Sequence, residues 1–80
     1  MSKVLVPLAK GFEEIEAVSI IDILRRAEIE VLVASLYDNF LVKGANGIAI
    51  EANYHVENIK AQDIDMIVLP GRWDGTYAVA

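Results

Sequence analysis

The sequence predicts an α/β fold built on a mainly parallel sheet, with a small hairpin at one side. Three observations carry that expectation. Val4 to Ala9, Glu30 to Ser35 and Asp65 to Pro70 are short runs in which apolar residues follow one another almost without alternation, as in strands covered on both faces. Between the first two lies a stretch with helical spacing of its apolar residues. Strand, helix and strand within about 33 residues make a parallel, right-handed βαβ unit.

The first strand carries Pro7, which has no N–H to give a ladder, so it fits only near the strand's end. Lys10 and Gly11 form the turn that follows. The helix is expected from about Glu13 to Ala27. Glu13, Glu14 and Glu16 occupy its first turns and Arg25 and Arg26 its last, the arrangement the helix dipole favours at each end. At 100° per residue, Ala17, Ile20, Ile21, Leu24 and Ala27 share the face turned to the sheet. Ile15 and Ile23, joined by Phe12, make a second apolar stripe, which implies a second partner for the helix. A dimer interface and a cover of further chain both fit it. Glu28 follows where a glycine commonly ends such a helix, so the stop is weakly specified.

Phe40 to Lys43 and Ile48 to Glu51 flank the segment Gly44 to Gly47, whose Asn46-Gly47 pair suits a hairpin spanning 40–51. Ala52 to Asp63 reads as loop with a helical turn near Val56 to Ile59. A strand is expected over 64–70. Pro70-Gly71-Arg72 is then a second strand-to-helix corner, and a helix begins over 74–80. The domain is thus expected to hold a βαβ unit over 3–35, the hairpin over 40–51, the strand over 64–70 and the start of a helix over 74–80.

Composition narrows the function classes. Eighty residues form one small domain at most, yet 55% of them are hydrophobic, so apolar surface is expected that something outside these residues must cover. The net charge of −5 argues against nucleic acid as a partner. No cysteine is present, which excludes disulfides and a thiol nucleophile within the chain. A lone histidine, His55, without a ligand pattern argues against a metal, and no cofactor is expected. No apolar run reaches the roughly 18 residues of a membrane helix. At the N-terminus a single lysine precedes about six apolar residues without a small-residue cleavage site, so it reads as a strand and not a signal peptide, and a cytoplasmic protein is the expectation.

Open α/β folds place their chemistry at the carboxyl ends of the strands. That singles out the Lys10-Gly11 turn, the helix start and the Pro70-Gly71 corner. Glu16 falls between the two apolar stripes and is expected to be partly buried. Desolvation would then raise its pKa and keep it protonated, able to donate to a neighbouring thiolate and pass a proton to an oxyanion. The alternative is a solvated first-turn glutamate. Glu13 and Glu14 read as dipole residues. Gly71 and Arg72 offer backbone N–H groups to an oxyanion, or else form an ordinary tight turn. Arg25 or Arg26 could contact an anionic substrate or a partner subunit. Trp73 and Tyr77 read as packing residues and His55 as a loop residue.

Three blocks carry a family likeness: residues 3–17 (KVLVPLAKGFEEIEA), residues 22–27 (DILRRA) and residues 63–71 (DIDMIVLPG). Together they resemble the ThiJ/PfpI superfamily, nearest to the branch of the Parkinsonism-associated protein deglycase and of bacterial proteins labelled for thiazole monophosphate biosynthesis. The resemblance implies the N-terminal half of a flavodoxin-like sandwich, similar to class I glutamine amidotransferases. It implies a homodimer whose catalytic cysteine lies in the second half of the domain, on a separate or missing stretch of chain. Glu16 matches the family's glutamate beside that cysteine. Gly71 and Arg72 match its oxyanion corner, and Gly11, Ile15, Arg25 and Arg26 fall where substrate or dimer contacts are expected. The activities implied are glyoxalase and deglycase chemistry on small carbonyl compounds or their protein adducts. A non-enzymatic, chaperone-like module that acts through oligomerisation is the alternative. Arg72, where a second glycine is usual, and Glu28 depart from the pattern.

Overall fold

The computed structural model describes residues 2–71. In chain order its elements are β1 (Lys3–Leu8), α1 (Glu14–Arg26), β2 (Glu30–Ser35), β3 (Leu41–Lys43), β4 (Ala49–Glu51), β5 (Tyr54–His55) and β6 (Met66–Ile67). Four parallel strands form the sheet in the order β5-β2-β1-β6, and β3 and β4 form a separate antiparallel hairpin. Two short 3₁₀ turns, Val56–Asn58 and Ala61–Asp63, link β5 to β6.

The β1–β2 ladder runs its full length, from Lys3 opposite Glu30 to Leu8 opposite Ser35. On the other side β1 pairs with β6 only at Val4 and Leu5. Pro7 accounts for the asymmetry. The carbonyls of Lys3 and Leu5 accept from Asp65 and Val68 on the β6 side. Pro7 faces the same side by the two-residue period, so its missing N–H falls just past the end of the β6 ladder.

That period also divides the core. Val4, Val6 and Leu8 of β1 join Val31 and Val33 of β2 under α1, together with Phe12, Ala17, and Val42 and Ala52 from the hairpin region. Leu5, Leu32 and Ala34 face the opposite way and are buried beneath Val56, Ile59 and Ile64, which themselves stay partly exposed. An open apolar groove remains there, lined by Leu5, Ile59, Ile64, Met66 and Ile67 among others.

Four expectations change. The strand expected over 64–70 pairs only at Met66 and Ile67, which are 58% and 51% exposed, because β6 is an edge strand with no element packed over it among the described residues. Phe12 is fully buried instead of sharing the outer stripe of Ile15 and Ile23. It precedes the first helical residue, so helical geometry does not set its direction. Ala27 is exposed, although it shares the inner face on a helical wheel. It is the C-cap residue, beyond the last helical turn. Helix termination is well defined despite Glu28. Ile29 N–H donates to Leu24 O and Glu28 N–H to Arg25 O, both at 3.0 Å, which is a Schellman motif with Glu28 in the left-handed region at φ 63°. Arg72 and the helix expected over 74–80, with Trp73 and Tyr77, lie outside the described residues.

Candidate functional site

The strand order reverses at β1. The connection through α1 carries the chain to β2 on one side, and the later parallel strand β6 joins on the other. The crevice between the carboxyl ends of β1 and β6 is therefore a topological switch point, the usual ligand position in open α/β sheets. Three segments meet there. The turn after β1 is fixed by Phe12 N–H to Ala9 O and by Gly11 N–H to Lys43 O, both 3.1 Å. The start of α1 is tied to the corner after β6 by Glu13 N–H donating to Pro70 O at 3.3 Å. The hairpin is held by Ala45 N–H donating to Phe12 O at 2.8 Å.

Glu16 reaches this corner. A Cβ placed on Gly71 would stand 3.0 Å from Glu16 Oε1 and 2.7 Å from Glu13 Cγ. Gly71 also has φ +66°, so both space and backbone conformation call for glycine. Glu16 itself is exposed, which corrects the expectation of partial burial. Ile15 and Ile23, the outer of the two stripes expected to flank it, are themselves 77% and 63% exposed, so that stripe gives the carboxylate no cover. Gly71 N–H donates to Leu69 O at 3.0 Å.

The buried carboxylate is Glu14. Its side chain turns to the hairpin, where Oε2 accepts from the N–H groups of Asn46 (2.7 Å) and Ile48 (3.1 Å), and Oε1 accepts from Asn46 Nδ2 (2.8 Å). Burial pushes its pKa up. Its own backbone N–H, that of Ile48, and the Asn46 side chain and backbone together outweigh burial and hold it below the usual carboxylate value. Sequence reasoning read Glu14 as a dipole residue. The available signal was its position three and seven residues before Ala17 and Ile21, which puts a charge on the sheet-facing stripe.

The other candidates separate. Gly11 lies in the turn at the crevice. Ile15 lines an apolar groove between α1 and the hairpin with Val18, Ile48 and Ile50. Arg25 and Arg26 sit at the far end of α1, roughly 14 Å along the axis from Glu16. Arg25 Nη2 donates to Val31 O at 3.3 Å, and Arg26 pairs with Asp22 at 3.1 Å on the surface. His55 stacks on Phe40 at 4.1 Å, and its Nδ1 lies 2.9 Å from Tyr37 O. Because a carbonyl only accepts, that nitrogen carries the proton. Tyr37 also accepts from Lys10 N–H at 3.0 Å, bracing the β1 turn from the β2 side, a role its place in a turn did not disclose.

Fold and crevice define an α/β domain of flavodoxin-like type with a carboxylate at its switch point. The sequence profile of the DJ-1/PfpI family matches residues 2–76, and the chain belongs to that family. It is 40% identical to protein DJ-1 homolog B of Arabidopsis thaliana over 78 residues, 98% of this chain and 18% of that protein. It is 39% identical to protein dj-1beta of Drosophila melanogaster over 80 residues, 99% of this chain and 43% of that one. The solved structure of oxidized Toxoplasma gondii DJ-1 superposes with TM-score 0.83 at 46% identity, covering 89% of this chain and 39% of that one. The chain thus spans less than half the length of these relatives, at their common fold. No helix among the described residues is long and apolar enough to cross a membrane.

Proposed function

We propose that this chain supplies the acid and part of the oxyanion corner of a cysteine-dependent enzyme acting on small carbonyl compounds or their protein adducts, and that it is inactive by itself. The observation that carries the reading is the approach of Glu16 to Gly71 at the β1–β6 switch point. The chain has no cysteine, so the nucleophile comes from the remainder of the domain. That remainder packs on the open face formed by Leu5, Ile59, Ile64, Met66 and Ile67. It also withdraws Glu16 from water.

In the proposed reaction the thiolate attacks the carbonyl carbon, a sulfur–carbon bond forms, and the carbonyl electron pair moves to oxygen. Glu16 delivers a proton to that oxygen. The backbone at Gly71 and Arg72 donates to it, for which Gly71 N–H exchanges Leu69 O for the substrate oxygen.

The test joins this chain to a cysteine-bearing C-terminal half and measures methylglyoxal turnover. Turnover only in the joined protein, lost on Glu16→Ala, supports the reading; turnover by these residues alone sinks it. The exposed groove of Ile15, Val18, Ile48 and Ile50 supports association through a second copy, and in the non-enzymatic alternative that association is the function.

A further inference from the structure

We propose that Asn46 is a deamidation site held in check by Glu14, and that its conversion to aspartate or isoaspartate releases the hairpin from α1. Asn46 and Gly47 are both exposed at the hairpin tip. Gly47 brings no side chain of its own next to its amide nitrogen, and a Cβ added to it would meet nothing within 4 Å, so the residue after Asn46 stands in open space. The other asparagines precede Phe40, Tyr54 and Ile59, whose side chains crowd the corresponding nitrogen.

The reaction needs only water. The Gly47 nitrogen loses its proton to solvent base and attacks Asn46 Cγ. The new N–Cγ bond closes a succinimide, and Nδ2 leaves with its electron pair as ammonia after taking a proton. Water then opens the ring at Cγ to give aspartate, or at the main-chain carbonyl to give isoaspartate.

Two hydrogen bonds oppose the first step. Asn46 Nδ2 donates to Glu14 Oε1 at 2.8 Å, which holds the side-chain amide on the helix side, and Gly47 N–H donates to Gly44 O at 3.2 Å. The first involves an ionised acceptor and is the stronger. Once the amide is gone the same contact reverses sign. A carboxylate oxygen replaces the donor facing Glu14, and two like charges meet where a hydrogen bond stood. Isoaspartate adds a methylene to the main chain between residues 46 and 47 and moves the Asn46 and Ile48 amides out of register with Glu14. The modification is therefore slow while the clamp holds and self-reinforcing once it opens.

The test incubates the intact protein at mildly alkaline pH and follows all four asparagines by peptide mapping that resolves isoaspartate. Asn46 should convert fastest. Its rate should rise about tenfold in Glu14→Ala, the value of one lost bond to a charged group, and not in Val31→Ala, which weakens the core without touching the clamp. Asn46→Asp, with Glu14 intact, should raise hydrogen exchange at the Ile48 amide while leaving β1 and β2 protected. Equal rates in wild type and Glu14→Ala, equal acceleration in both variants, or Asn46 no faster than the other asparagines would overturn the proposal. So would unchanged exchange at Ile48 in Asn46→Asp.

Discussion

A methyl group on Gly44 would stand 2.6 Å from both Cγ and Oε2 of Glu14. The glycine is therefore part of the Glu14 site: its missing side chain lets the carboxylate reach the amides of Asn46 and Ile48. Gly44→Ala should cost about 1–3 kcal/mol, the usual range for overpacking, read as a lower midpoint in urea unfolding. Glu14 also links this site to pH. Its folded pKa is depressed, so its contribution to stability is complete above the unfolded value and is lost as pH falls through the folded one. The Asn46 and Ile48 amide resonances should stay constant down to the ordinary carboxylate range and shift only below it. Shifts that begin near neutrality would mean that another group governs the clamp. Position within the helix, more than residue type, decides these roles. Glu14 and Glu16 are two residues apart on one helix, so they point to different sides of it, one into the hairpin and one to the crevice.

Among the elements, α1 illustrates what the sequence discloses and what it withholds. Its extent, Glu14 to Arg26, falls one residue inside each end of the expected Glu13 to Ala27, because the spacing of Ala17, Ile21 and Leu24 and the acidic start and basic end mark the helix without separating its cap residues. Its stop was less legible because Glu28 lacks glycine's freedom, yet Glu28 takes φ 63° and the Schellman bonds form around it. The left-handed conformation costs a non-glycine residue about 1 kcal/mol or more, so Glu28→Gly should stabilise the fold by about 1 kcal/mol. A thermal melt that does not rise would mean that the Glu28 side chain makes a compensating contact. Just before the helix the wheel misleads: Phe12 lies in the turn and drops into the core. Phe12→Ala should cost about 3–5 kcal/mol, as for a buried aromatic, where a surface residue would cost little. The crevice was legible as a place, because strand ends and a glycine corner mark it. The Glu14 clamp was not, because its partners lie 32 and 34 residues away and no local pattern encodes them.

At the scale of the whole molecule, the sheet leaves two apolar regions on opposite sides, and they differ in what they can receive. The groove of Ile15, Val18, Ile48 and Ile50 is walled by α1 and the hairpin, both tied together through Glu14. The opposite face, around Leu5, Ile59, Ile64, Met66 and Ile67, is roofed only by the two 3₁₀ turns and bordered, among the described residues, by the edge strand β6. A parallel sheet is stable when covered on both faces, so this second face suits the remainder of the domain, whereas the self-contained groove suits a second copy. A charge placed on one should then leave the other working. Burying an isoleucine side chain is worth about 1.5–3 kcal/mol, so a lysine in its place should weaken the matching association by about tenfold or more. Ile15→Lys should reduce self-association in sedimentation velocity without impairing recombination with a C-terminal half. Ile67→Lys should do the reverse. If both substitutions impair both processes, the two surfaces are not independent, and the separation of dimer contact from domain completion fails.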